Sequence, residues 1–472
     1  MEHCSSRTEG RHAIVAGGGV AGLLAARVLA DHFDQVTVLE RDRFPDTPSA
    51  RRGAPQARHV HVLLHRGLLA LEKLFPGISS ELTTAGATLL DGAADFAWLT
   101  PEGWAGRFHS GVPMLSCSRD LLEWVVRCRL SACARVKWLD GVDVKGLLTE
   151  ATGARVTGVS IQSRGSAGGE TRLSADLVVD ASGRTSRTPE WLTSLGLPAP
   201  RETLVDVGLC YASRVYRRPG DVGTIDWQGV LLQPAPPSVK RGGLLLPIEG
   251  ERWIVTLSGR GGEKPPTDDA GFMAYAGSLR APTIYQAIAN AEPLSAVVGY
   301  RATANRVRHY EELDGSPEGL VVIGDAACAF NPVYGQGMTA AALGATLLGD
   351  CLLEAPGVRN AGRGLTGVSR RFQQRLARLN VMPWLSATSE DARYLEQEQR
   401  ASQGWRMRIM HRYIDRLTSR STQSAAVRQI LIEIFNMLRP PAALFLPRLL
   451  FAALQPQRAV AYAPTRTAES AP

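Results

Sequence analysis

Much is missing from this 472-residue chain, and each absence excludes a class of protein. Cys4, Cys117, Cys128, Cys133, Cys210, Cys328 and Cys351 stand singly, odd in number and without a CxxC pair. That pattern argues against a disulfide framework and against a zinc site. No stretch approaches the ~20 uninterrupted apolar residues of a spanning helix. Met1–Gly10 is polar and lacks the apolar core of a secretory signal, so a cytoplasmic location is expected. Lysine is scarce. Arginine supplies nearly all of the excess behind the formal +8 charge, in no long run and without interleaved aromatics, which excludes an ordinary nucleic-acid groove. No Ser-His-Asp set or carboxylate pair stands out beside the glycine-rich turns, so no catalytic residue is assigned.

What is present is organised around residues 13–40. Ala13–Val15 reads as a buried strand. Gly17-Gly18-Gly19-Val20-Ala21-Gly22 follows, then an Ala/Leu-rich helix to Ala30 and a second apolar run, Val36–Leu39, ending in Glu40. Gly17 permits a tight turn, Gly19 lets a pyrophosphate approach the backbone, and Gly22 lets helix press on strand. The helix start at Val20 and Ala21 turns free N–H groups and a positive dipole end toward that phosphate. Glu40, 18 residues past Gly22, is placed to accept bonds from ribose hydroxyls. A dinucleotide site is expected.

Further along, Arg51–His61 is punctuated by Gly and Pro and reads as a loop; helix resumes over Val62–Phe75. His59, His61 and His65 cluster without a nearby carboxylate or cysteine, so they read as a packed loop beside the cofactor and no metal is expected. Short strands occupy residues 84–116. Ser118 caps a helix running to about Leu130. Arg119 gains nothing from the dipole there, which leaves an anionic ligand or a surface position as its reason. Val136–Val144, Arg155–Gln162 and Glu170–Leu173 form a meander, and a strand at Ala175–Asp180 returns to the first sheet with a polar turn at Gly183. Val205–Tyr216, Gly243–Pro247 and Arg252–Leu257 read as an inserted antiparallel sheet. Leu320–Ile323 is a buried strand carrying Asp325 just past its tip, where ligands bind in such sheets. Gly335 and Gly337 then let amides approach a planar ligand before the helix Thr339–Leu353. The chain is helical beyond Asn360. Phe435–Leu454 is apolar but broken by prolines; it reads as a buried, proline-bent helix pair, with contact at a membrane surface as the alternative.

Two phosphate-type turns some 300 residues apart, with a β-rich insertion between them, resemble the single-component (group A) flavoprotein monooxygenases. The late segment Gly324-Asp325-Ala326-Ala327-Cys328 … Pro332 … Gly335-Gln336-Gly337-Met338 is similar to their signature, with Cys328 for the usual His and no Asn after the Gly-Gln-Gly. Asp180-Ala181-Ser182-Gly183 stands for their middle Asp-Gly motif. Closer likeness is to the actinobacterial polyether epoxidases, carried by Arg52–His59, Cys117–Leu122, Pro247–Trp253 and Ala329–Gly335.

The resemblance implies a para-hydroxybenzoate hydroxylase-like α/β fold. Its Rossmann-like FAD-binding domain would be discontinuous (1–80, 113–200, 300–360). An inserted β-sheet substrate domain (81–112, 201–299), a C-terminal helical region (361–456) and a disordered tail (457–472) complete it. It implies FAD held by Gly17, Gly19, Val20, Ala21, Gly22, Glu40, Arg41, Arg52, Arg119, Asp180, Gly183, Asp325, Pro332, Gly335, Gly337 and Met338, with Pro332, Gly335 and Gln336 beside the ring. NADPH or NADH would donate electrons, and O2 and a small apolar substrate would be the partners. The implied reaction is epoxidation of a polyketide-type alkene through a flavin C4a-hydroperoxide, in a pocket between the inserted sheet and the flavin. Aromatic hydroxylation and a non-catalytic FAD scaffold are the alternatives. The Trp-x-Trp-x-Ile-Pro segment of tryptophan-type halogenases is absent.

Overall fold

The computed structural model describes residues 11–165, 169–220, 225–355, 364–394 and 404–455. Both termini, including the expected tail, lie outside them.

Five parallel strands form the central sheet, in the order Leu320–Val322, Leu177–Asp180, His12–Ala16, Gln35–Glu40, Val136–Asp140. The inner strands are apolar on both faces because helices cover one and the antiparallel strands Val142–Thr149 and Val156–Ser163 pack on the other, and Ala13, Ile14 and Val15 are wholly buried. Ala16 pairs with Asp180, and Asp180 with Val322. That register brings three strand tips together at the carboxyl edge, so the turns at Gly17, Ala181 and Gly324 lie side by side. The helix Gly337–Leu353 packs against the helices Val20–Leu29, His65–Leu74 and Val368–Ala392. Its small residues permit this: a Cβ at Gly344 would lie 3.3 Å from Leu376 and 3.4 Å from Ile323, at or inside the close limit of ordinary contact.

A seven-stranded sheet lies beyond the strand tips. Its order is Val298–Tyr300, Cys210–Arg217, Arg252–Gly259, Gly242–Ile248, Gly229–Leu232, Phe96–Thr100, Gly103–Trp104. Alternation divides its faces. Leu245, Val255 and Leu257 enter a core with Phe272 and Ile284 from the helices Asp269–Gly277 and Thr283–Ile288. Leu244, Leu246, Thr256 and Ser258 turn the other way and line a cavity.

Three expectations are corrected. Val205–Tyr216 is not one strand: Glu202–Val205 pairs with Asn305–Arg308 in a separate sheet, and the left-handed Gly208 lies in the crossing before Cys210–Arg217 begins. Helix does not start at Val62. Val62–Leu63 pairs with Leu115–Ser116, and the helix begins at His65, whose N–H is accepted by Asn436 Oδ1 from the far end of the chain. The apolar C-terminal pair is only half buried: Leu449 and Ala453 face inward, while Phe451 and Leu454 are 69% and 74% exposed. Among the described residues no helix is long and apolar enough to cross a membrane.

Candidate active site

The first turn is dictated by sterics. Gly17 is left-handed, and a Cβ there would lie 2.5 Å from the Ala181 carbonyl oxygen across the sheet. A Cβ at Gly22 would overlap the Gly17 carbonyl. Gly19 is different. Its backbone is ordinary, and the nearest atom to an added Cβ is Arg119 Nη2 at 3.4 Å. Glycine at this position leaves room above the helix start for a ligand.

Around the turn runs a buried ion chain. Glu40 accepts the Gly18 N–H (2.8 Å) and the Asp42 N–H (3.0 Å) and pairs with Arg51 (3.1 Å). Arg51 reaches on to Glu123 (2.6 Å), which also holds Arg119 (2.7 Å). Burial would push the Glu123 carboxyl up, but the two guanidiniums outweigh it and hold it below its ordinary range. Arg119 is thus no surface residue; it lines the cavity, as does Arg41. The neighbour that grips Glu40 is Arg51, whereas Arg52 is exposed.

Asp180 also differs from expectation. It sits 1% exposed behind its own turn, accepting from Ser182, Ser186 and Thr188. It therefore shapes the turn, and Ser182 and Gly183 present the surface to the cavity. Asp325 lines the cavity and pairs with Arg184 at 3.5 Å. Past it, Pro332–Tyr334 makes one 3-10 turn, Gly335 is left-handed, and nothing lies within 4 Å of a Cβ built on Gly337. The helix Gly337–Leu353 starts here with its amides bare, and the buried Gln336 Oε1 and Thr339 Oγ1 lack partners.

One cavity of about 1100 Å³ joins these parts. It runs from Gly19–Ala21 past Asp325 and Pro332–Gly337 to the apolar face of the large sheet. Its remaining wall is the C-terminal helices, through Met382, Met407, Met410 and Phe435, a contribution the sequence did not reveal. The steric demands at Gly17 and Gly22, the room at Gly19 and the bare amides at Gly337 fit an extended dinucleotide such as FAD.

Polar groups in the apolar half are few. His59 Nδ1 lies 2.7 Å from Ser213 Oγ, which lies 2.6 Å from Thr256 Oγ1. Val60 N–H donates to Thr256 Oγ1, so Thr256, Ser213 and His59 Nδ1 form one hydrogen-bonded chain tied to the backbone. His59 Nε2 is buried without a partner. Burial, then the Arg58 charge, lowers the His59 pKa to about 4. His61 bonds the Gln56 carbonyl and His65 the Pro113 carbonyl, so the three imidazoles serve separate partners. Arg260 is 3% exposed, lines the cavity and stacks over Tyr394, with Nε and Nη1 unpartnered.

Asp391 closes the site from behind. Its carboxylate accepts from Asn305 Nδ2 (2.6 Å), Asn331 Nδ2 (2.9 Å) and Tyr334 OH (2.9 Å). A helix of the C-terminal region thereby holds the loop that runs along the cavity floor.

Two strand-tip turns, a bare helix start and an apolar annex define a dinucleotide site of the kind that holds FAD. The chain belongs to the FAD binding domain family, whose match spans residues 11–365. It is similar to Protein Rv3254 of Mycobacterium tuberculosis, 37% identical over 347 residues, 70% of this chain and 71% of that one. It is also similar to kynurenine 3-monooxygenase of Salinispora tropica, 28% identical over 361 residues, 73% of each. Of solved structures, a triple mutant of the flavin-dependent brominase Bmp2 superposes with a TM-score of 0.64. That match covers 93% of this chain and 97% of the other at 13% identity, a likeness of fold alone. The expected α/β FAD-binding fold with its helical C-terminal region stands.

Proposed function

We propose that the protein is an FAD-dependent monooxygenase that epoxidises an alkene of a large apolar, polyketide-type substrate, using O2 and NADH or NADPH. Bound and reduced, FAD would supply the activated oxygen atom. The residues bind, orient and exclude water. Gly19, Arg119, Asp325 and the amides at Gly337 would hold the cofactor. Leu231, Leu244, Leu246 and Phe96 would seat the substrate against the Pro332–Gly337 loop and keep the site dry.

The observation that carries this reading is the largely apolar annex, in which the buried His59 imidazole is held neutral. Hydroxylation of a phenol gains from a base near its hydroxyl. An imidazole whose pKa sits at about 4 is a poor one. An isolated alkene needs no such base.

The test is purification and spectroscopy. A flavin spectrum bleached by NADPH or NADH and restored by air supports the monooxygenase class. Labelled O2 supplied with candidate alkenes and phenols then decides: label in an epoxide supports the proposal, and label in a catechol refutes it.

A further inference from the structure

Residues 404–455 contain eight arginines, no lysine and two acids, Asp415 and Glu433. The surplus of six accounts for most of the chain's formal +8. Both acids are engaged, Asp415 by Arg393 and Glu433 by Arg439. In the same region the helix Pro447–Leu454 is apolar around nearly its whole circumference, a pattern that belongs to a helix buried on every side. Yet Leu450, Phe451 and Leu454 are exposed, and Phe445 and Leu446 extend the patch. On the helix Trp405–Ser421, which packs against it, Trp405, Ile409, Arg412 and Arg416 form one exposed stripe at helical spacing. Phe445 is half exposed and also lines the cavity, as does the exposed Arg406. The cavity therefore reaches the surface within this patch.

We infer that this face docks on an anionic lipid surface, with Phe451, Leu454 and Trp405 entering the interface and Arg412 and Arg448 meeting headgroup phosphates. Aromatic and aliphatic side chains standing out among arginines fit a monotopic contact. The large apolar residues gain nothing from a nucleic-acid backbone, and a second copy would set the same basic surplus against itself. Rested on the proposed monooxygenase reading, the placement has a consequence: an apolar substrate would pass from the bilayer into the cavity at Phe445. The docking itself does not depend on that reading.

The experiment is flotation of the full-length, flavin-loaded protein with vesicles of phosphatidylcholine alone or mixed with phosphatidylglycerol. Binding to the mixed vesicles, weak binding to the neutral ones, and release at ~1 M salt are expected. The double variants F451S/L454S and R412E/R448E should each lower partitioning roughly tenfold or more, with flavin content unchanged. Absence of binding to the anionic vesicles overturns the inference, as does unaltered binding by both variants. So does a dimer in light scattering that F451S/L454S abolishes, which would assign the patch to a second copy. Flavin content and NADPH oxidation, scored separately without lipid, report on the monooxygenase reading alone.

Discussion

Asp391→Ala tests how the floor of the cavity is held. The wild-type carboxylate satisfies three buried donors, from Asn305, Asn331 and Tyr334. Alanine leaves all three without a partner, and each orphaned buried donor costs about 1–3 kcal/mol. Rotation of Tyr334 toward the cavity can recover part of this, so a loss of about 3 kcal/mol in global stability is expected. The informative effect is local. Asn331 Oδ1 also accepts the Val333 N–H and the Tyr211 hydroxyl, so its release loosens the loop that should lie beside the flavin. We expect weaker FAD binding and a larger share of reducing equivalents lost as hydrogen peroxide. Denaturant unfolding gives the first quantity, fluorescence titration with FAD the second, and peroxide assay the third. Stability within about 0.5 kcal/mol of wild type, with FAD affinity unaltered, would refute the reasoning.

Other expectations can be checked in the same preparations. Gly22→Ala should fail to fold, because its Cβ overlaps the Gly17 carbonyl, whereas Gly19→Ala should fold with a normal circular dichroism spectrum yet elute without flavin. His59 has a folded pKa of about 4 against 6.5 unfolded, so the unfolded chain binds the extra proton on acidification. Its contribution is full above pH ~6.5 and falls by about 3 kcal/mol as pH drops toward ~4. His59→Gln should lessen the slope of that part of the stability–pH curve in urea unfolding, with the share of the buried His61, also lowered to about 4, remaining. Arg51→Met should strand Glu40 as a buried carboxylate without a cation and leave Glu123 with Arg119 alone, costing about 3–5 kcal/mol and releasing FAD, read by thermal unfolding and by the flavin-to-protein absorbance ratio.

What could be read in the chain was local. A glycine forced by a left-handed turn, a serine cap and an acid at a strand tip announce themselves within a few residues. Ser118 indeed accepts the Leu121 N–H at 3.1 Å. Arg51 and Arg52 could not be separated that way, since only the path of the loop decides which of the two turns to Glu40. Asp180 has the composition of a ligand, yet three hydroxyls of its own turn consume it. Asp391 and Arg260 were invisible for another reason. Their partners are distant in sequence, and no spacing or period records which face of a helix 60 residues away will close on Asn331. The split of Val205–Tyr216 turned on Gly208, whose left-handed backbone favours glycine but leaves no trace in the apolar pattern.

The capping of His65 by Asn436 bears on how the chain is made. These two residues are 371 positions apart, and Asn436 is wholly buried. During synthesis the early helix leaves the ribosome with its leading amide unsatisfied, and it stays so until Asn436 has been threaded out. The nucleotide-binding half can collapse earlier, since domains fold as they emerge. Its final tightening waits for Asn436, so a nascent chain stalled before that residue would hold its flavin loosely.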